Sequence, residues 1–150
     1  MVSFLIPLGM IDSKYLYFPF SLIVPLIVIA LSVLVLDLFL FDKWMSLWGL
    51  ITGTVFITSI YLIVKIWFKI KNRKDEPMGF GDLLLIIPIG IWLGPLGILL
   101  CFLMSSILAL ITWAMLYLLI DFSFNSKMPF GPYLIISSIL IKILNLGFIL

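Results

Sequence analysis

Histidine is absent from this 150-residue sequence, so the commonest general base and metal ligand near neutral pH takes no part in its chemistry. Ser-His and Cys-His nucleophilic catalysis are excluded with it. The one cysteine, Cys101, lies inside an apolar run and reads as a packing residue; a count of one rules out an internal disulfide and a Cys-rich zinc site. Acid–base chemistry therefore falls to lysines and to seven acids: Asp12, Asp37, Asp42, Asp75, Glu76, Asp82 and Asp121. Two carboxylates held close share one proton, so that one activates water while the other donates to a substrate carbonyl. Such hydrolysis needs neither a metal nor a nucleophilic side chain, and which carboxylates can meet depends on the elements that carry them.

Those elements are set by a chain that is 65% hydrophobic and 11% charged, with mean hydropathy +1.38. That composition lacks the polar surface of a water-soluble domain. Continuously apolar stretches longer than the roughly 20 residues needed to cross a bilayer recur along the chain, which argues for helices and against the alternating strands of a barrel. The expected fold is all-α: a single membrane-embedded domain over 1–150, a polytopic bundle of about six segments with a short first one. Met1 to Ile11 is apolar and ends at Asp12; Pro19 to Phe41 and Trp44 to Phe68 are full spans. The polar stretch KIKNRKDEPMGFG, Lys69 to Gly81, carries Lys69, Lys71, Arg73 and Lys74 beside a span end, which places it on the cytoplasmic side. Leu83 to Leu93 is a short apolar segment, Gly94-Pro95 breaks it on the far side of the membrane, and Leu96 to Ile120 returns. Asp121 to Pro129 forms the next connection and Phe130 to Leu150 the last crossing. The basic loop is too short for a nucleic-acid arm, so the partner it implies is an anionic lipid surface.

This topology puts Asp12 and Asp82 on one side, at the end of the first segment and the start of the fourth. Asp37 lies about 17 residues into its helix, roughly 25 Å across at about 1.5 Å per residue, so it belongs with Asp42 to the opposite side. Asp75 and Glu76 sit in the solvated loop, and Asp121 is a span-boundary residue on the same side as the pair. Lys142, well inside the last span, reads as a snorkelling or bundle-facing residue. Asp82 closes the tetrapeptide Gly79-Phe80-Gly81-Asp82, in which the glycines permit close approach of a substrate backbone.

The stretch MGFGDLLLIIPIGIWLG, Met78 to Gly94, resembles the segment that marks type IV prepilin peptidases and archaeal preflagellin peptidases. IDSKYLYFPFSLIVP, Ile11 to Pro25, is similar to the family's other catalytic segment, with Asp12, Lys14 and Pro19 at its aspartate, basic and proline places. Met128-Pro129-Phe130-Gly131-Pro132-Tyr133 is similar to the Pro-Phe-Gly-Pro element opening the family's last span. Leu84 stands where the family usually has lysine, and Phe20 where it commonly has Asp or Asn. The resemblance covers essentially the whole chain but only the peptidase half of full-length bacterial members, without their cysteine-bearing methylation portion. It implies a GxGD intramembrane aspartyl endopeptidase with Asp12 and Asp82 as the catalytic pair. Gly79, Phe80 and Gly81 would lie against the substrate strand, and no metal or other cofactor is implied. The implied substrate is a prepilin or pseudopilin, cut at the cytoplasmic face of a prokaryotic inner membrane after a short basic leader.

Helix ends give an expectation for the division of roles. Asp82 opens a helix, where the macrodipole favours a charged carboxylate, and Asp12 closes one, which makes Asp82 the base and Asp12 the acid. A non-catalytic scaffold or assembly factor is the alternative that Leu84, Phe20 and the short first segment favour. A transporter ranks third, because no span carries a buried charge series or paired interrupted helices.

Overall fold

A computed structural model describes residues 2–15, 20–40, 44–71, 80–120 and 130–144. They form five helices: α1 (Val2–Tyr15), α2 (Phe20–Leu40), α3 (Met45–Ile70), α4 (Phe80–Ile120) and α5 (Gly131–Ile143). Three contain stretches long and apolar enough to cross a membrane: Ser21–Phe39, Met45–Ile70 and Gly81–Leu119.

The long α4 is two helices. Gly94 has φ 74° and ψ −178°, outside helical geometry and in a region that only glycine occupies readily. Pro95 follows with no N–H to offer the preceding turn. We call residues 80–93 α4a and residues 95–120 α4b, which gives six helical segments and an all-α bundle as expected from the sequence. Two boundaries differ. The helix of α1 runs on to Tyr15, so Asp12 and Lys14 lie within it, and α4a begins at Phe80, so Gly81 and Asp82 occupy its first turn. Charged residues in these places continue a helix whose backbone bonds must be satisfied internally at membrane depth.

The main core lies among α1, α2, α4 and α5, with Leu5, Leu8, Ile23, Leu26, Leu85 and Leu134 among its fully buried members. A second cluster, Ala30, Leu34 and Ile91, joins α2 to α4a nearer the break. The helix α3 packs on α4 backbone to backbone, since a Cβ on Gly49 would stand 2.2 Å from the Gly90 carbonyl oxygen and 2.6 Å from the Gly94 Cα. Close approach through small residues is how helices associate where lipid removes the hydrophobic drive. Exposed Val28, Val35, Val55, Ile63, Leu110 and Leu118 give the outside an apolar surface suited to acyl chains.

Candidate active site

Helical spacing turns Asp12 inward. In α1 the buried positions are Leu5, Leu8, Gly9 and Asp12, one stripe at intervals of three and four. In α4a the same spacing joins Asp82 to Leu85, Ile86 and Ile89, all buried. The two aspartates are only 3% and 8% exposed, in a bundle whose other buried side chains are almost all apolar.

They lie near one another at one end of the bundle, close enough for the charge of Asp12 to act on Asp82. Asp12 accepts a hydrogen bond from the backbone N–H of Gly131, the first residue of α5. That N–H belongs to a helix start, where the first donors have no partner within the helix. Pro132 sits within the first two positions of the same turn, where its missing N–H costs nothing. The Oδ2 of Asp12 and the Oδ1 of Asp82 are buried with no hydrogen-bond partner among the described residues. Unpartnered carboxylate oxygens are groups with which water and a peptide carbonyl could pair chemically.

Asp12, Asp82 and Gly131 are therefore brought together from three elements. Phe130 and Leu84 pack against the main core, Gly81 lies beside Asp82, and Phe80 starts α4a. Lys14 lies in the last turn of α1, and Phe20 begins α2. Gly79, Pro19 and Pro129 lie outside the described residues, as do Asp42, Asp75, Glu76 and Asp121. Asp37 sits near the other end of α2, where it accepts a hydrogen bond from the Ser46 hydroxyl of α3, away from the pair. Among the described residues, no three Cys, Asp or Glu side chains gather as a metal site would require.

Sequence reasoning places Gly131 in the element that opens the last span and misses its N–H as a partner of Asp12. A start of helix at Pro132 was the available signal, since such a start leaves free N–H donors. It also missed that α5 brings its positive end to Asp12, as α4a does to Asp82. The helix-end argument for dividing base from acid consequently does not carry through, because both carboxylates meet a helix N-terminus.

Comparison with known proteins bears on the family. A model of the type IV leader peptidase family matches residues 1–114. A prepilin leader peptidase/N-methyltransferase of Stutzerimonas stutzeri is 32% identical over 135 residues, covering 89% of this chain and 44% of the relative. The protein of the same name from Pseudomonas putida is 30% identical over 137 residues, with the same two shares. That from Aeromonas salmonicida is 36% identical over 90 residues, 59% of this chain and 29% of the relative. This chain thus spans less than half the length of the curated relatives it matches. No solved structure gives a significant match. On the family match and these identities, the chain belongs to the type IV leader peptidase family.

Proposed function

We propose that the chain is a membrane aspartyl endopeptidase that removes the leader of prepilin-like proteins, with Asp12 and Asp82 as its catalytic pair. What supports this reading is a pair of buried carboxylates within the family's matched region, near enough for the charge of one to act on the other, each with an unpartnered oxygen. In the reaction, the ionised carboxylate takes a proton from water as the water oxygen bonds to the scissile carbonyl carbon, while the protonated carboxyl gives its proton to the carbonyl oxygen. Collapse of the resulting diol breaks the C–N bond: the carboxylate that gave its proton to the carbonyl oxygen takes one back from a diol hydroxyl as the C=O re-forms, and the proton first taken from water passes to the departing amine. Because both carboxylates meet helix starts, the proton belongs to the pair. Loss of either carboxylate should therefore abolish the reaction.

The substrate class follows from the family and its relatives' names, and a membrane setting for it is supported by the apolar helices. The site faces the cytoplasm of a prokaryotic inner membrane on this reading. Support for that sidedness comes from Lys65, Lys69 and Lys71, which cluster at the C-terminal end of α3, just before the chain enters the connection to Gly81 and Asp82.

The test is co-expression with a candidate prepilin, with leader removal read as a gel shift. Wild type and Asp121→Asn should process the substrate, and Asp12→Asn and Asp82→Asn should not, with rates lower by roughly a thousandfold or more. Processing retained in either of the first two aspartate variants would remove the pair from the mechanism. No processing by well-expressed wild type across several prepilins would shift the reading to a non-catalytic scaffold of the same fold.

A further inference from the structure

A second polar cluster lies at the end of the bundle away from the aspartates. Lys142, near the end of α5, directs its Nζ to the Trp92 carbonyl oxygen at 3.2 Å and stands 5.7 Å from the centre of the Trp92 ring. Asp37 of α2 is near enough for its charge to act on Lys142, and Asp37 itself accepts the Ser46 hydroxyl of α3. Side chains of α3, α2 and α5 thus follow one another in a polar series, whose last member, Lys142, reaches the fourth helix.

The point it reaches is the break in α4. Trp92 is in the last turn of α4a, two residues before Gly94, where the helix ladder stops and carbonyls lose their donors. A cation at a helix C-terminus is favourable, and an orphan carbonyl at membrane depth is costly without a partner. Lys142 supplies both the charge and the donor. Ser46–Asp37 then ties the neighbouring ends of α2 and α3 to the same cation.

The helix α5 is tied at one end to Asp12 and at the other to the half-helix that carries Asp82. Its first residue, Gly131, gives its N–H to Asp12, and its Lys142 holds the last turn of the half-helix whose first turn carries Asp82. From Asp82 to Trp92 is about 15 Å of helix, and from Gly131 to Lys142 about 16 Å, at roughly 1.5 Å per residue. Both segments start at the aspartate end and finish at the break. They form a parallel pair, joined to each other by Lys142 at the break, while α5 donates to Asp12 of α1 at the other end.

We propose that Lys142 is a positioning residue for the aspartate pair: by fixing the broken end of α4a to α5, it sets the separation of Asp82 from Asp12. This rests on the peptidase reading for its catalytic consequence but not for its geometry. A half-helix released at Gly94 can tilt about its packed middle. A displacement near 1 Å at reacting groups costs roughly a hundredfold in rate.

The test measures geometry and activity separately. In a Cys101→Ser background, an Asp12→Cys/Asp82→Cys chain is cross-linked in membranes with a short bifunctional thiol reagent, with and without Lys142→Met. Cross-linking should be efficient with Lys142, fall several-fold with Lys142→Met, and recover with Lys142→Arg. In the otherwise native chain, Lys142→Met should lower kcat by roughly tenfold to a hundredfold with little change in KM, and Lys142→Arg should restore much of it. If Lys142→Met does not accumulate, Lys142→Gln carries the same expectations. Unchanged cross-linking together with unchanged kcat would overturn the proposal, as would a loss confined to yield or melting temperature with normal kcat in the folded fraction. Cross-linking that depends on Lys142 as expected, together with no prepilin cleavage by the chain with both aspartates intact, would sink the peptidase reading and leave the positioning of the pair standing.

Discussion

A carboxyl group surrounded by Leu, Ile and glycine is held at a cost in stability unless something donates to it. The Gly131 N–H answers part of that cost at Asp12, while the Oδ1 of Asp82 has no partner among the described residues. An unsatisfied buried polar group costs on the order of 1–3 kcal/mol, and functional sites are where folds tolerate such costs. Asp82→Leu should therefore raise the melting temperature in detergent, by about 1 kcal/mol in stability terms, while removing leader cleavage. A lower melting temperature for this variant would mean that Asp82 is a structural residue satisfied by groups outside the described segments. Cys101 is a buried side chain with an ordinary role, its thiol pointing to the Leu134 carbonyl at 3.5 Å, so serine in its place keeps the donor. That makes Cys101→Ser a sound background for thiol experiments.

At the scale of elements, the bundle depends on how closely α3 can approach the break in α4. Gly49 meets the Gly90 and Gly94 backbone directly, where nothing can rotate away, whereas a Cβ on Gly9 would meet the flexible Cδ1 end of Ile135 at 3.3 Å. Gly49→Ala should therefore destabilise the protein by roughly 1–3 kcal/mol, as overpacking does, and Gly9→Ala by a few tenths at most. Thermal melts of the two variants side by side check this, and equal effects would show that α3 and α4 can separate without cost. Forcing α3 away from Gly90 would also displace Ser46, which donates to Asp37 near Lys142 at the same end of the bundle.

For the whole molecule, sidedness is the property that decides whether the pair can meet a leader peptide. Lys71, exposed at the end of α3, should lie in the cytoplasm. In a Cys101→Ser background, Lys71→Cys should resist a membrane-impermeant thiol reagent in intact cells and react once they are opened. Labelling in intact cells would turn the bundle over and remove the proposed access to cytoplasmic leaders. The number of segments, the break at Gly94-Pro95 and the placing of Asp12 with Asp82 at one end were all legible in the sequence. Length, charge clusters and a Gly-Pro pair fix where an apolar chain crosses, turns and breaks. The inward face of each helix was not legible, because in lipid the outside positions are as apolar as the inside ones and the usual amphipathic period is lost. Which groups meet was decided by tertiary packing alone: the Gly131 N–H on Asp12, Ser46 on Asp37, and Lys142 on the Trp92 carbonyl. Each of these joins residues from different helices, whose contact follows from how small residues let backbones approach, a property of pairs of surfaces that no single stretch of sequence contains.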